Sequence, residues 1–172
     1  GSFAKRILFL RNFFKGNKNK YQVAHINATS QGTGIISYFA KKNGNIPKVI
    51  FHSHMGGNDH KPSVVDKIGA KLMFKHSDKF ASCSGEASKF MYGKAFETNK
   101  IFVLNNSVDT KKFEFNQNTR SAMRKEWNVA EDTFVVLHAG RFAPQKNHKS
   151  LILIFKEILN QEPNSKLFLI GD

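Results

Sequence analysis

The stretch FVVLHAGRFAPQKN, Phe134 to Asn147, reads as a strand, a glycine stop, a basic loop and the first residue of a helix. Phe134, Val135, Val136 and Leu137 form a continuous apolar run rich in β-formers, the pattern of a strand covered on both faces. Ala139-Gly140 ends that run, Arg141 and Lys146 lie in a loop around Pro144, and Asn147 can cap the helix that follows. A strand that ends in glycine, then cations, then a helix N-terminus is an arrangement suited to an anion, most often a phosphate. Spacing alone leaves a second reading open, in which Arg141 and Lys146 are solvated loop charges.

Working outward, the same alternation recurs. Downstream, Leu151, Ile154, Phe155, Ile158 and Leu159 form a helical stripe, and Lys166 to Gly171 reads as another buried strand. Upstream, strands are expected at Tyr21–Ile26, Lys48–His54, Phe80–Cys83 and Ile101–Leu104. Helices are expected from Phe3 to about Phe14, over Ile35–Lys42 and Val64–His76, from Ser84 to about Tyr92, and over Arg120–Trp127. Strands alternating with helices at these spacings predict an α/β fold, a Rossmann-like parallel sheet with right-handed crossovers. Ligands of such sheets sit beyond the carboxyl ends of the strands, so the polar residues there are the site candidates: Asn27–Thr29, His52–Gly57, Ser82–Ser84, Asn105–Ser107 and Gly140–Asn147. Gly32 and Gly34 do not complete a dinucleotide fingerprint, because Ser37 stands at the third glycine position, and they read as a strand-to-helix turn.

Composition narrows the partners. The chain has 172 residues, 40% of them hydrophobic, which suits one or two small folded domains. The net charge of +14 favours an anionic partner, whether nucleic acid, a membrane surface or a phosphorylated small molecule, and equally suits a lysine-rich solvated surface. Cys83 is the sole cysteine, which fits a reducing cytoplasm; a small filler is the commoner use of such a residue than a nucleophile. No apolar run approaches the roughly 18 residues of a membrane span. The basic amphipathic helix from Phe3 suits either packing on its own domain or lying on anionic lipid.

Two further groups carry chemistry. His52 and His54 have strand spacing and share one side of their strand. With Asp59 and His60 they suggest zinc, although the spacing does not match a binuclear hydrolase run, and no fuller ligand set is evident, so no metal is expected. Ser84 and Asn106 close strands three and four, where each can hydrogen-bond a substrate or serve as a simple cap or turn residue.

Taken together, these motifs resemble the family 4 glycosyltransferases, enzymes with two facing Rossmann-like domains, the GT-B fold. GRFAPQKN at Gly140–Asn147 resembles the family's donor-phosphate loop G-R-x-x-x-x-K-[GN]. NNSVDTKKF at Asn105–Phe113 resembles its N-G-[VI]-D-x-x-x-F crossover segment, and FHSHMGGN at Phe51–Asn58 the histidine loop of capsular and exopolysaccharide enzymes. SDKFASCSGEASKFM at Ser77–Met91 and KLFLIGD at Lys166–Asp172 resemble two more family segments.

The resemblance implies a retaining hexosyltransferase that moves a sugar from a nucleotide sugar to a glycan or lipid-linked acceptor in bacterial surface polysaccharide biosynthesis. It implies no metal or other cofactor, and a cytoplasmic location peripheral to the inner face of the membrane. Residues 3–112 would be the latter part of the amino-terminal, acceptor-side domain, 113–132 a linker, and 133–172 the start of the carboxy-terminal donor domain. Arg141, Lys146 and Gly140 would bind the donor diphosphate, His54 would act at the transferring sugar, and His52, Ser84 and Asn106 would contact substrate. The family's E-x₇-E motif would follow Asp172, so this stretch is expected to lack transferase activity by itself. Ser107 stands where the family usually has glycine, which would matter if that backbone needed positive φ. A basic nucleic-acid-binding module and a metal-dependent hydrolase are the alternatives, and no recognised nucleic-acid motif supports the first.

Overall fold

A computed structural model describes residues 3–57, 61–93 and 101–172. It divides into two compact units, residues 1–108 and 109–172, with parallel α/β structure in both, as the alternating pattern predicts. Asp59 and His60 lie outside the described residues.

The first unit contains α1 (Phe3–Gly16), β1 (Val23–Ala28), α2 (Ile35–Lys42), β2 (Lys48–Ser53), α3 (Val64–His76), β3 (Lys79–Ser82), α4 (Gly85–Tyr92) and β4 (Ile101–Val103). The strands pair in parallel in chain order, β1-β2-β3-β4. A sheet that grows in one direction through right-handed crossovers carries all its connecting helices on one face. Burial agrees: Ile26, Ala28, Val49 and Phe51 join Phe39, Met73, Met91 and Tyr92 in one core. Full burial of Phe51, Met73 and Met91 contributes about 1.5–3 kcal/mol each. The opposite sheet face, with His25, Ile50, Lys79 and Phe102, borders an open groove of about 460 Å³.

Local chemistry places the helix ends. Ser63 and Asp66 form a reciprocal capping box at α3, and Ser84 caps α4 by accepting from the Ala87 N–H at 3.1 Å. The Tyr92 hydroxyl reaches the Phe51 and Ala81 carbonyl oxygens at 2.8 and 2.6 Å, which pins α4 to the middle of the sheet. Its burial raises the phenol pKa above the ordinary value. On α1, Phe14 is buried and Ile7 and Leu10 pack on the core, while Leu8, Phe9 and Phe13 are exposed on a helix that also carries Arg6, Arg11 and Lys15. Among the described residues, no helix is long and apolar enough to cross a membrane.

The glycine pair has a packing role. A 3₁₀ turn at Gln31–Gly34 lies against α3, and a Cβ on Gly34 would come within 2.0 Å of the Gly69 carbonyl oxygen. The turn after β1 is therefore a backbone-to-backbone seam.

The second unit contains α5 (Gln117–Glu126), β5 (Phe134–Ala139), α6 (His148–Gln161) and β6 (Ser165–Ile170), with β5 and β6 parallel. α5 starts three residues before the expected Arg120, because Asn116 caps it by accepting from the Thr119 N–H at 2.9 Å. Arg124 donates to the Thr133 carbonyl at 2.9 Å, and Trp127 meets Phe168 with ring centroids 4.8 Å apart, so α5 is tied to the strands.

One expectation fails here. β5 and β6 are not covered on both faces: Phe134 is 51% and Leu137 53% exposed, and Ile170 is exposed as well. A continuous apolar run marks a strand that can be buried on both faces, but in a two-stranded sheet neighbours for only part of that surface are at hand. On α6, Leu151, Phe155 and Ile158 are half-buried, whereas Ile154 and Leu159 of the expected stripe are exposed with Ile152 and Leu153.

Candidate functional site

In the first unit, the parallel ladder brings the predicted polar residues to one edge of the sheet. Asn27 is the penultimate residue of β1, His54 follows β2, Ser84 follows β3 and Asn106 lies in the loop after β4. Backbone bonds carry this edge past the strand limits: His54 N–H to the Ala28 carbonyl at 2.9 Å, Cys83 N–H to Ser53 at 2.9 Å, and Leu104 N–H to Ser82 at 2.8 Å. Cys83 is half-buried and Asn106 exposed. Ser84 serves as the α4 cap, the plainer of its two readings. The crossover turn is sound with serine, since Ser107 is not among the positive-φ residues, and Asp109 accepts from the Lys111 N–H at 3.2 Å.

The histidines make a row that includes one residue the sequence reading did not single out. His52 and His54 do share a side, with ring centroids 4.1 Å apart. His25 stacks on His52 at 5.2 Å, and its Nε2 lies 3.1 Å from His52 Nδ1. His54 Nε2 lies 2.9 Å from Asn27 Oδ1. Among the described residues, no group of three or more His, Cys, Asp or Glu side chains is arranged to hold a metal ion. His25 carried a signal in hindsight: it sits two residues before Asn27 on the same strand face.

Burial lowers the pKa of His52, and the neighbouring His54 and His25 lower it further. Burial also lowers that of His76, aided by Lys42, Lys75 and Lys41. For a base with a depressed folded pKa, the unfolded chain binds protons first as pH falls, so stability is full above the unfolded value and declines as pH drops through the folded values. Urea midpoints are therefore expected to fall between about pH 7.5 and about pH 5.5, across the ordinary histidine range. The slope should flatten in the double variant His52→Gln/His76→Gln; an unchanged slope would refute the attribution.

In the second unit, the loop after β5 is built by close backbone approach. The Gly140 N–H donates to the Ile170 carbonyl at 2.8 Å, and a Cβ on Gly171 would come within 2.0 Å of the Gly140 carbonyl oxygen. The Lys146 side chain runs over Gly140, where a Cβ would meet its Cε at 3.2 Å and Cδ at 3.3 Å. Pro144–Lys146 form a 3₁₀ turn, and Asn147 adopts a left-handed conformation at φ +47°. Its side chain accepts from the Ser150 N–H at 3.4 Å, so it caps α6 as expected.

Arg141 and Lys146 are both exposed, and neither has a carboxylate partner among the described residues. Beside them, His148 stacks on Phe142 at 4.9 Å and meets His138 edge-on at 5.1 Å. Both histidines bury an Nε2 that has no hydrogen-bond partner among the described residues. The loop borders an open groove of about 500 Å³ lined by Phe142, Pro144, His148 and Lys149. A strand end, two exposed cations and a capped 14-residue helix together can hold a phosphate group.

Residues 119–172, which include this loop, match the family model described as Glycosyl transferases group 1. In that segment the sequence is similar to glycosyltransferases. A lipopolysaccharide 1,2-N-acetylglucosaminetransferase of Salmonella typhimurium is 36% identical over 58 residues, 34% of this chain and 15% of that protein. An uncharacterized glycosyltransferase of Methanocaldococcus jannaschii is 29% identical over 108 residues, 61% of this chain and 26% of the relative. Crystal structures of Anabaena HepE share the fold. The complex with UDP and glucose aligns with TM-score 0.74 at 18% identity, covering all of this chain and 45% of HepE. The complex with UDP aligns with TM-score 0.56 at 14% identity, covering 97% of this chain and 51% of HepE. The chain thus spans about half of HepE, and about 15% and 26% of the two sequence relatives.

Proposed function

We propose that this chain serves a retaining glycosyltransferase of family 4, which moves a hexosyl group from a nucleotide sugar to a glycan or lipid-linked acceptor in bacterial surface polysaccharide biosynthesis. The observation that carries the reading is the Gly140–Asn147 loop: two exposed cations between a strand end and a helix start, inside the segment that matches the glycosyltransferase model.

In such a transfer the bond from the sugar's anomeric carbon to the diphosphate oxygen breaks and a bond to an acceptor oxygen forms. The bonding pair leaves on the diphosphate oxygen, which takes up the proton that the acceptor hydroxyl gives up. Negative charge grows on the phosphate oxygens in the transition state, so cations placed there lower the barrier. Arg141 offers a planar fork, Lys146 a compact point charge, and the start of α6 a partial positive charge. Gly140 lets the lysine stem lie flat across the strand end. These cations can do the work that a metal ion does elsewhere, and the reading assigns no metal. His54 would contact the transferring sugar, with His52 behind it and Ser84 and Asn106 on the same sheet edge. On the same reading the protein works on the cytoplasmic side, where the exposed Leu8, Phe9 and Phe13 beside Arg6, Arg11 and Lys15 suit an anionic membrane surface.

Because the chain spans only part of each relative, the test reads binding. Calorimetric titration with UDP-glucose is expected to show saturable binding near physiological ionic strength. Saturable binding of single-stranded RNA with no response to the nucleotide sugar would replace this reading with a nucleic-acid-binding role.

A further inference from the structure

An imidazole has two neutral forms, and which nitrogen keeps the proton decides what the ring can offer a ligand. At the carboxyl edge of the first unit's sheet, one neighbour makes that choice for His54. Its Nε2 lies 2.9 Å from Asn27 Oδ1, and an amide oxygen only accepts, so Nε2 carries the proton and Nδ1 keeps the lone pair.

Asn27 is well placed for this. It pairs in register with His52 across β1 and β2, so it sits one strand over from His52, on the same face and on the same strand as His25. It is exposed near the end of β1, where the strand holds its backbone and its amide oxygen meets His54 rather than the core. His52 packs against the His54 ring at 4.1 Å, and His52 is itself held by His25, whose Nε2 lies 3.1 Å from its Nδ1. The ring of His54 is thus steadied on one side by contact with the tilted His52 ring and at one nitrogen by a hydrogen bond.

We propose that Asn27 is the positioning residue of the histidine loop: it fixes His54 as the Nε2–H form, whose Nδ1 accepts a hydrogen bond from a sugar hydroxyl. The inference rests on the transferase reading for the identity of the ligand, and it narrows that ligand to a hydroxyl donor. A carbonyl or phosphate oxygen, which only accepts, would find no proton at that nitrogen while the ring is neutral. The remaining titratable groups of the row, His25 and His52, pair with each other and leave this choice to Asn27.

The test is a long-range proton–nitrogen correlation spectrum of the ring nitrogens in the ¹⁵N-labelled chain at about pH 8, where histidine is neutral. His54→Gln assigns the signals. The expected spectrum has a protonated Nε2 and an unprotonated Nδ1. Asn27→Ala should move both signals toward the averaged positions of a tautomer mixture. Asn27→Asp should keep the form, since a carboxylate likewise only accepts. An Nδ1–H form in the unchanged chain would mean that the amide presents its NH₂ group instead, and would overturn the inference; so would a His54 spectrum indifferent to Asn27→Ala. Backbone amide dispersion shows that the variants are folded. The readout needs no nucleotide sugar: the expected tautomer together with a flat UDP-glucose titration would uphold Asn27 as the residue that sets His54 and remove only the transferase reading.

Discussion

Gly69→Ala is expected to cost the first unit about 3 kcal/mol or more, the upper end for overpacking, because the obstacle is backbone. A Cβ at position 69 would stand 2.2 Å from the Gln31 carbonyl oxygen and 2.6 Å from Gly32 Cα, and one at position 34 would stand 2.0 Å from the Gly69 carbonyl oxygen. Neither neighbour can turn aside as a long side chain can. The seam is held from both ends, since the Gly32 N–H donates to Asp66 Oδ1 at 3.1 Å and Asp66 is fixed in the Ser63 capping box. Relief would need α3 to move away from the 3₁₀ turn, which would open the core at Met73. Chemical denaturation of Gly69→Ala beside Gly57→Ala checks this, as a Cβ on Gly57 meets nothing within 4 Å. Equal stability of the two variants would contradict the packing account.

Arg141→Ala/Lys146→Ala is expected to lose about 10²- to 10⁴-fold in affinity for UDP-glucose, the sum of two charge-assisted contacts at about 1.5–3 kcal/mol each. Each single variant should lose about tenfold or more. Folding should be untouched, because both side chains are exposed and neither is in an ion pair among the described residues. Arg141→Lys should recover part of the loss but not all, since an ammonium cannot make the two parallel bonds of a guanidinium. Wild-type affinity in the double variant would make both residues solvated loop charges.

Much of the architecture could be read from local pattern. The limits of α2 and α3 coincide with the apolar periodicity over Ile35–Lys42 and Val64–His76, and Ser84 and Asn147 cap the helices they precede. Those signals lie within a few residues of each other. What was missed depends on distant partners. The apolar run at Phe134 gives the capacity of β5 for burial, while its actual burial depends on what packs around it. Gly32 and Gly34 read as a strand-to-helix turn, which they form, yet the reason for glycine there is Gly69, far along the chain.

The site divides in the same way. The cations of the Gly140–Asn147 loop were legible because strand, glycine, charge and cap are contiguous. The pairing of Asn27 with His54 and of His25 with His52 was not, because it follows from the register of β1 on β2, which no single segment encodes. His138 and His148 were invisible for a related reason: their contact exists only once the loop after β5 folds back to start α6.

The central claim is that the Gly140–Asn147 loop receives the diphosphate of a nucleotide sugar. The most direct measurement is amide chemical-shift mapping of the ¹⁵N-labelled chain during titration with UDP-glucose, repeated with the Arg141→Ala/Lys146→Ala variant. The account predicts saturable shifts centred on residues 140–150, at the loop and the first turn of α6, that vanish in the variant. Shifts confined to other parts of the chain, or shifts at the loop that survive the loss of both cations, would contradict it.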